Sequence, residues 1–220
     1  MNRARLKVGI AHVRMARGGS EARAAWGIQA LRDDYDVSLI TSGEVDVQAV
    51  NHFYGTNLQS GEFDVRLAPS PFGFQRVMDA AAMRGGLFQR FCRSIAHEFD
   101  VLISAYNFCD FGMPAIQCIA DFSWNERIRN EIDPPPARGS RLICRPNPLR
   151  FAYLSLARAV GRPSGRNLLG DCIIANSQWT ARMIRQRCGV NCQVLYPPVV
   201  FNSPIVDWQD REIGFVCMGR

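Results

Sequence analysis

KVGIAHVRMARGGSE, residues Lys7 to Glu21, reads as a β-strand that runs into a glycine-paired loop and then a helix. The strand covers Lys7 to Val13, the loop is RMARGG, and the helix extends from about Ser20 to Arg32. A second strand, YDVSLIT, follows from Tyr35 to Thr41. Strand to strand takes about 30 residues, the length of a βαβ unit. Such a crossover makes the two strands parallel neighbours in one sheet.

The rest of the chain repeats that alternation. A short helix is expected over Asp46–Phe53, a third strand over Phe63–Leu67, and a long helical stretch over Phe74–Glu98 that Gly85-Gly86 should break. Further strands are expected over Asp100–Tyr106, Ala115–Ala120, Cys172–Ala175 and Val194–Tyr196. DPPPARGS forms a loop, because its three prolines fit neither a helix interior nor a ladder. A basic amphipathic helix is expected over Pro148–Val160, and another helix over Ser177–Arg187, starting at its serine cap and with Gly189 just beyond its end. The fold class is α/β, a Rossmann-like parallel sheet with helices on both faces. Residues 1–200 form the domain, 201–212 a linker, and Ile213 to Arg220, IGFVCMGR, a further buried strand.

Composition narrows the function classes. With 47% hydrophobic and 21% charged residues the chain has the profile of a globular domain, and no apolar run approaches the ~20 residues that span a bilayer. The basic N-terminus runs into an alternating strand pattern with no small-residue cleavage site, unlike a signal peptide. Eight scattered cysteines, several of them in apolar runs (Cys118, Cys172, Cys217), point to reduced thiols and a cytoplasmic compartment. Cys188 and Cys192 lack the further ligands of a zinc site, so no metal is expected. The net charge of +6 is carried by arginine, Lys7 being the only lysine. Seven arginines and no acid lie between Pro134 and Gly170, a run suited either to phosphates or the anionic inner face of a membrane, or to a solvated face whose arginines pair with acids elsewhere. No zinc finger, RNP motif or helix-turn-helix accompanies it, so nucleic acid is not an expected partner.

Three loops fall at carboxyl ends of strands, where open α/β sheets bind ligands. The first holds Gly18 and Gly19, which let a ligand approach backbone at a helix N-terminus. The second holds Asn107 and Asp110, suited either to sugar hydroxyls or to turn formation. The third holds Asn176, Ser177 and Thr180, where Asn176 or Ser177 also serves as a helix cap. His12 reads as a core histidine, and His97 suits a helix end. No GxSxG, HExxH or Walker motif is present, and the absence of GxGxxG argues against an NAD-type oxidoreductase.

At these same loops the sequence resembles family 4 glycosyltransferases, enzymes of the GT-B fold with two Rossmann-like domains facing across a cleft. The resembling stretches run in order: KVGIAHVRMARGGSE, HFYGTNL, DVLISAYNFCDFG, IIANSQWTARMI, VLYPPV and IGFVCMGR. The resemblance implies an N-terminal, acceptor-side domain of a retaining enzyme that moves a sugar from a nucleotide-sugar to a glycan or lipid-linked acceptor. It places Gly18, Gly19 and Ser20 beside the cleft, Asn176, Ser177 and Thr180 at the sheet end near it, and Arg220 on the donor diphosphate. Where relatives carry a cleft histidine, this chain has AIQCIADFSW, with Ala120 or Asp121 at that position; Asp121 would accept from a sugar hydroxyl. By the same resemblance, residues 213–220 are the first strand of a truncated C-terminal donor-binding domain whose paired-glutamate motif is missing, so the chain alone is expected to lack transferase activity. The reading of another class is a non-catalytic α/β module that binds carbohydrate or an anion.

Overall fold

The computed structural model describes residues 4–69, 81–132, 148–199, 206–212 and 214. Seven strands, β1 (Lys7–Ala11), β2 (Asp36–Thr41), β3 (Asp64–Leu67), β4 (Val101–Ser104), β5 (Ile116–Ile119), β6 (Cys172–Ala175) and β7 (Gln193–Val194), form one sheet in the order β3-β2-β1-β4-β5-β6-β7. Every pairing is parallel. This is the Rossmann-like α/β architecture expected from the βαβ spacing.

Strand alternation divides the core between the two faces. On one face, Val8, Ile10, Val37 and Leu39 pack with Ala24, Ala25 and Ile28 of helix α1 (Gly19–Leu31) and Val50 of α2 (Val47–Tyr54). Asp46 caps α2 by accepting from the Ala49 N–H. On the other face, Ala11, Ile40 and Leu102 meet Phe88 and Cys92 of α3 (Ala81–Ile95). A third cluster joins Ile119, Ile173 and Ala175 to Ile128 of α4 (Glu126–Ile132) and Ile184 of α6 (Gln178–Cys188). The buried Gln117 on β5 is satisfied by the Cys109 backbone N–H and carbonyl and by Asp171.

Gly85 and Gly86 do not break α3, contrary to expectation. They sit where α3 crosses α5 (Pro148–Gly161), and a Cβ on Gly86 would lie 2.7 Å from the Ala157 carbonyl oxygen and 3.3 Å from the Gly161 Cα. Glycine here permits a close helix–helix approach, and the packing outweighs its low helix propensity. Arg93 reinforces the crossing by donating to the Gly161 carbonyl.

Smaller differences concern strand ends. β1 stops at Ala11, β4 spans only Val101–Ser104, and the last strand lies at Gln193–Val194, ahead of its expected position. The expected strand residues past Ala11 and Ser104 instead turn into the loops that carry polar groups. Cys172, read as buried, is exposed at the start of β6. The α4 helix follows the Trp124-Asn125 turn, where Asn125 accepts from the Arg127 and Ile128 N–H groups. The expected strand at Ile213–Arg220, the DPPPARGS loop, the first residues of the long helical stretch, and Arg138, Arg141 and Arg145 lie outside the described residues, except Gly214.

Candidate functional site

Strand order reverses between β1 and β4, since the chain builds outward from β1 to β2 and β3 and then restarts on the other side. The carboxyl ends of strands flanking such a reversal splay their loops apart and leave a crevice. His12 follows β1 there, Tyr106 and Asn107 follow β4, Asp121 follows β5, and the N-terminus of α1 brings Ser20 and Glu21.

His12 is 6% exposed, and its Nε2 lies 3.0 Å from the Ser20 hydroxyl. That hydroxyl donates to Glu21 Oε2 at 2.8 Å. A hydroxyl has one proton, so with it directed to Glu21 the imidazole Nε2–H donates to the Ser20 oxygen. Nδ1 is buried and makes no hydrogen bond among the described residues. Burial holds the His12 pKa below its ordinary value, partly offset by the Glu21 carboxylate and the backbone at Arg14. The ring is therefore neutral at neutral pH, with the Tyr106 ring 6.1 Å away.

Across the crevice, the Tyr106 hydroxyl donates to Asp121 Oδ2 at 2.7 Å. Asn107, with φ of 53°, occupies the left-handed region that asparagine tolerates better than most residues. Its side-chain N–H group donates to Asp121 Oδ1 and Ser123 Oγ, while its carbonyl oxygen accepts from the Ala120 and Asp121 N–H groups. Asn107 thereby ties the end of β4 to the end of β5 and fixes the Asp121 carboxylate. Burial pushes the Asp121 carboxyl up, but hydrogen bonds from Ser123, Tyr106 and Asn107 outweigh it and hold the group below the usual carboxylate value. The Tyr106 phenol is raised, first by burial and also by both Asp121 and Glu21.

The glycine loop is held from below. Tyr54 Oη accepts from the Gly18 N–H at 3.0 Å and donates to the Ala16 carbonyl at 2.6 Å, and Arg17 lies 3.9 Å over the Phe53 ring. No side chain caps α1, and a Cβ on Gly19 would meet nothing within 4 Å. Helix N–H groups beside open space suit an anionic or hydroxyl oxygen.

Asn176, Ser177 and Thr180 form a connected cap. Ser177 accepts from the Thr180 N–H, Thr180 Oγ1 donates to Asn176 Oδ1 at 2.6 Å, and Asn176 donates to the Ala120 carbonyl. These three fasten β6 and α6 beside Asp121. Asp110 faces protein on all sides: Arg93, the Ser164 N–H and hydroxyl, and the Gly112 N–H bind its two oxygens. Burial pushes its carboxyl up, and those bonds and Arg93 outweigh it to leave the pKa low. Arg220 lies outside the described residues.

The structure adds groups that the loop-by-loop reading missed. His12, Glu21 and Tyr106 join the polar crevice, and an aromatic cluster follows the same strand ends. Phe108 and Trp124 meet edge to face at 4.8 Å, and Phe122 contacts Trp124 at 6.2 Å and Trp179 at 5.9 Å. Trp179 is 46% exposed, and the Trp124 indole N–H is buried without a partner among the described residues. The available signal was an aromatic three or four positions past the ends of β4, β5 and β6: Phe108, Phe122 and Trp179.

A groove of about 490 Å³ lies at the opposite edge, among Lys7, Arg32, Asp36, Glu62, Arg66 and Glu98. Its charges are largely spent on one another, Arg32 on Glu62 and Arg66 on Glu98. It also lies at the amino ends of the strands, away from the loops that carry site chemistry in this fold.

No family model matches the chain, and no curated protein matches it. Solved structures do resemble it. UGT2 of Phytolacca americana, complexed with UDP-2fluoro-glucose and pterostilbene, superposes with a TM-score of 0.51 and 14% identity over 92% of this chain and 56% of that one. A ugt transferase from Siraitia grosvenorii in complex with UDP gives 0.43 and 11% identity over 90% of this chain and 52% of that one. The chain spans just over half the length of the structures it matches. The likeness to UGT2 is one of fold, a parallel Rossmann-like α/β sheet.

Proposed function

We propose that this chain is the acceptor-side half of a glycosyltransferase, working with a donor-binding half to move a sugar from a nucleotide-sugar to a glycan or lipid-linked acceptor. The observation that carries the reading is the crevice at the β1/β4 reversal. It sets Ser20 and Glu21 on one wall and Tyr106, Asn107 and Asp121 on the other, with the exposed Trp179 ring after β6. The fold shared with UGT2 supports it.

In this reading an acceptor hydroxyl enters between Ser20 and Asp121. The carboxylate accepts its hydrogen bond, and the Tyr106–Asn107–Ser123 set keeps that carboxylate ionised and aimed. The neutral His12 holds Ser20 from behind and positions it. The exposed face of Trp179 supplies a flat apolar platform for a pyranose ring. The donor diphosphate lies toward Gly18, Gly19 and the α1 N-terminus, and Arg220 contributes a cation to it. The sequence pattern favours a family 4 enzyme that retains anomeric configuration, acting in the cytoplasm or at the inner face of the membrane. No metal or cofactor takes part in this scheme.

Two measurements test this reading. Residues 1–220 incubated with radiolabelled UDP-glucose, UDP-galactose and GDP-mannose and simple acceptors give no transfer, because most donor contacts come from the other half. Saturation-transfer NMR with methyl glycosides detects sugar contact that is lost in Trp179→Ala. Turnover by residues 1–220, or sugar contact indifferent to Trp179, contradicts the assignment.

A further inference from the structure

Helix α5 is apolar around almost its whole circumference, with only Arg150, Ser155 and Arg158 as strongly polar positions after Leu149. Its inner side is occupied: Ala157 and Gly161 pack on α3 at Gly86. Its outer side is not. Leu149 is 82% exposed, Phe151 75% and Leu156 56%. Leu149, Ala152, Leu156 and Ala159 follow i, i+3, i+7, i+10 spacing and so form one exposed apolar stripe. Beside it run Phe151, Ser155, Arg158 and Arg162, also exposed, so the second stripe ends in two cations. A helix apolar on both sides requires a partner on its outer face.

Charge identifies the partner. No aspartate or glutamate occurs between Pro148 and Gly170, whereas Arg150, Arg158, Arg162 and Arg166 do. Arg150 pairs with Glu126 and Arg166 with Asp171. Arg158 and Arg162 have no ion pair among the described residues. Two copies of this face would set these arginines against each other. At 14 residues the helix is too short to cross a bilayer, and among the described residues no helix is long and apolar enough to do so. A short helix whose outer face exposes leucines and a phenylalanine edged by arginines instead lies in the plane of a headgroup layer.

We infer that the outer face of α5 docks on an anionic lipid surface, with Leu149, Phe151 and Leu156 inserted below the headgroups and Arg158 and Arg162 at phosphate level. This inference goes beyond the catalytic reading and stands without it, because α5 shares no residue with the crevice. It gives structural content to the acid-free arginine run noted in the sequence.

The test is co-sedimentation of the 220-residue chain with vesicles of phosphatidylcholine containing phosphatidylglycerol, set against pure phosphatidylcholine. Binding is expected to the anionic vesicles only and to weaken as salt rises. Arg158→Gln with Arg162→Gln lowers the partition coefficient roughly 25-fold, from about fivefold per arginine. Phe151→Ser lowers it about tenfold or more. Both sets lie on the exposed face and should leave the circular dichroism melt unchanged; if Phe151→Ser fails to fold, the arginine variants decide. Equal binding to neutral vesicles, no binding to either, or binding indifferent to these substitutions overturns the proposal. So does a dimer in sedimentation velocity that Phe151→Ser abolishes, which would assign the face to a second copy.

Discussion

The imidazole Nε2 of His12 lies 3.0 Å from the hydroxyl of Ser20, eight residues later and on the next element. This contact pins the first turn of α1 to the end of β1 at the lip of the crevice. It also buries an ionisable ring in a site where protonation is disfavoured.

Acid should therefore weaken the fold in two separate windows. Burial lowers the His12 pKa below its ordinary 6.5, so between the two values the unfolded chain holds the extra proton and stability rises with pH. Stability falls as pH drops from about 6.5 through the folded value. Asp110 and Asp121, both held below their ordinary 3.8, add a second loss at lower pH. Urea midpoints measured from pH 8 to pH 3 should show both declines, and His12→Gln should flatten only the upper one.

Adjacent glycines in α3 predict opposite outcomes. Gly86→Ala drives a Cβ into the Ala157 carbonyl and should cost about 1–3 kcal/mol. Gly85→Ala meets nothing within 4 Å and should gain up to about 1 kcal/mol through helix propensity. Thermal and urea unfolding of the two variants give the comparison directly.

Asp110 is expected to act on stability. Its carboxylate joins Arg93 of α3 to the Ser164 turn after α5, and both charged side chains are mostly buried. Asp110→Ala leaves the guanidinium unpaired and should destabilise by about 3–5 kcal/mol. Denaturant unfolding measures the loss.

Asp121→Asn should separate binding from folding. Asn107 and Tyr106 lose a charged acceptor, yet the side-chain volume is kept and the residue is exposed. Stability should change by less than about 1.5 kcal/mol, the scale of one hydrogen bond. Glycoside contact by saturation-transfer NMR should drop severalfold.

The architecture was legible because buried parallel strands and their crossovers are written in local residue patterns. KVGIA, DVSLI, VLIS and CIIA each read as strands, and Asp46, Ser177 and Gly189 marked helix ends through short-range chemistry. Gly85-Gly86 misled because its function is tertiary: a glycine pair that admits a second helix looks locally like one that ends the first. The crevice was half legible. Strand ends pointed to Asn107, and the family resemblance to Ser20 and Asp121, but the His12–Ser20 and Tyr106–Asp121 bonds join residues from separate turns and strands, and periodicity does not encode such pairs. The same holds for Asp110, whose partners Arg93 and Ser164 are 17 and 54 residues away.

The most direct test of the account is an amide chemical-shift map of isotopically labelled chain titrated with methyl glycosides and UDP-glucose. The account predicts shifts grouped at the carboxyl ends of the strands: His12, Gly19 and Ser20, Tyr106 and Asn107, Asp121, and Trp179. Shifts grouped in the groove at the opposite edge, around Lys7, Arg32, Asp36 and Glu98, or no shifts with any sugar, would contradict it.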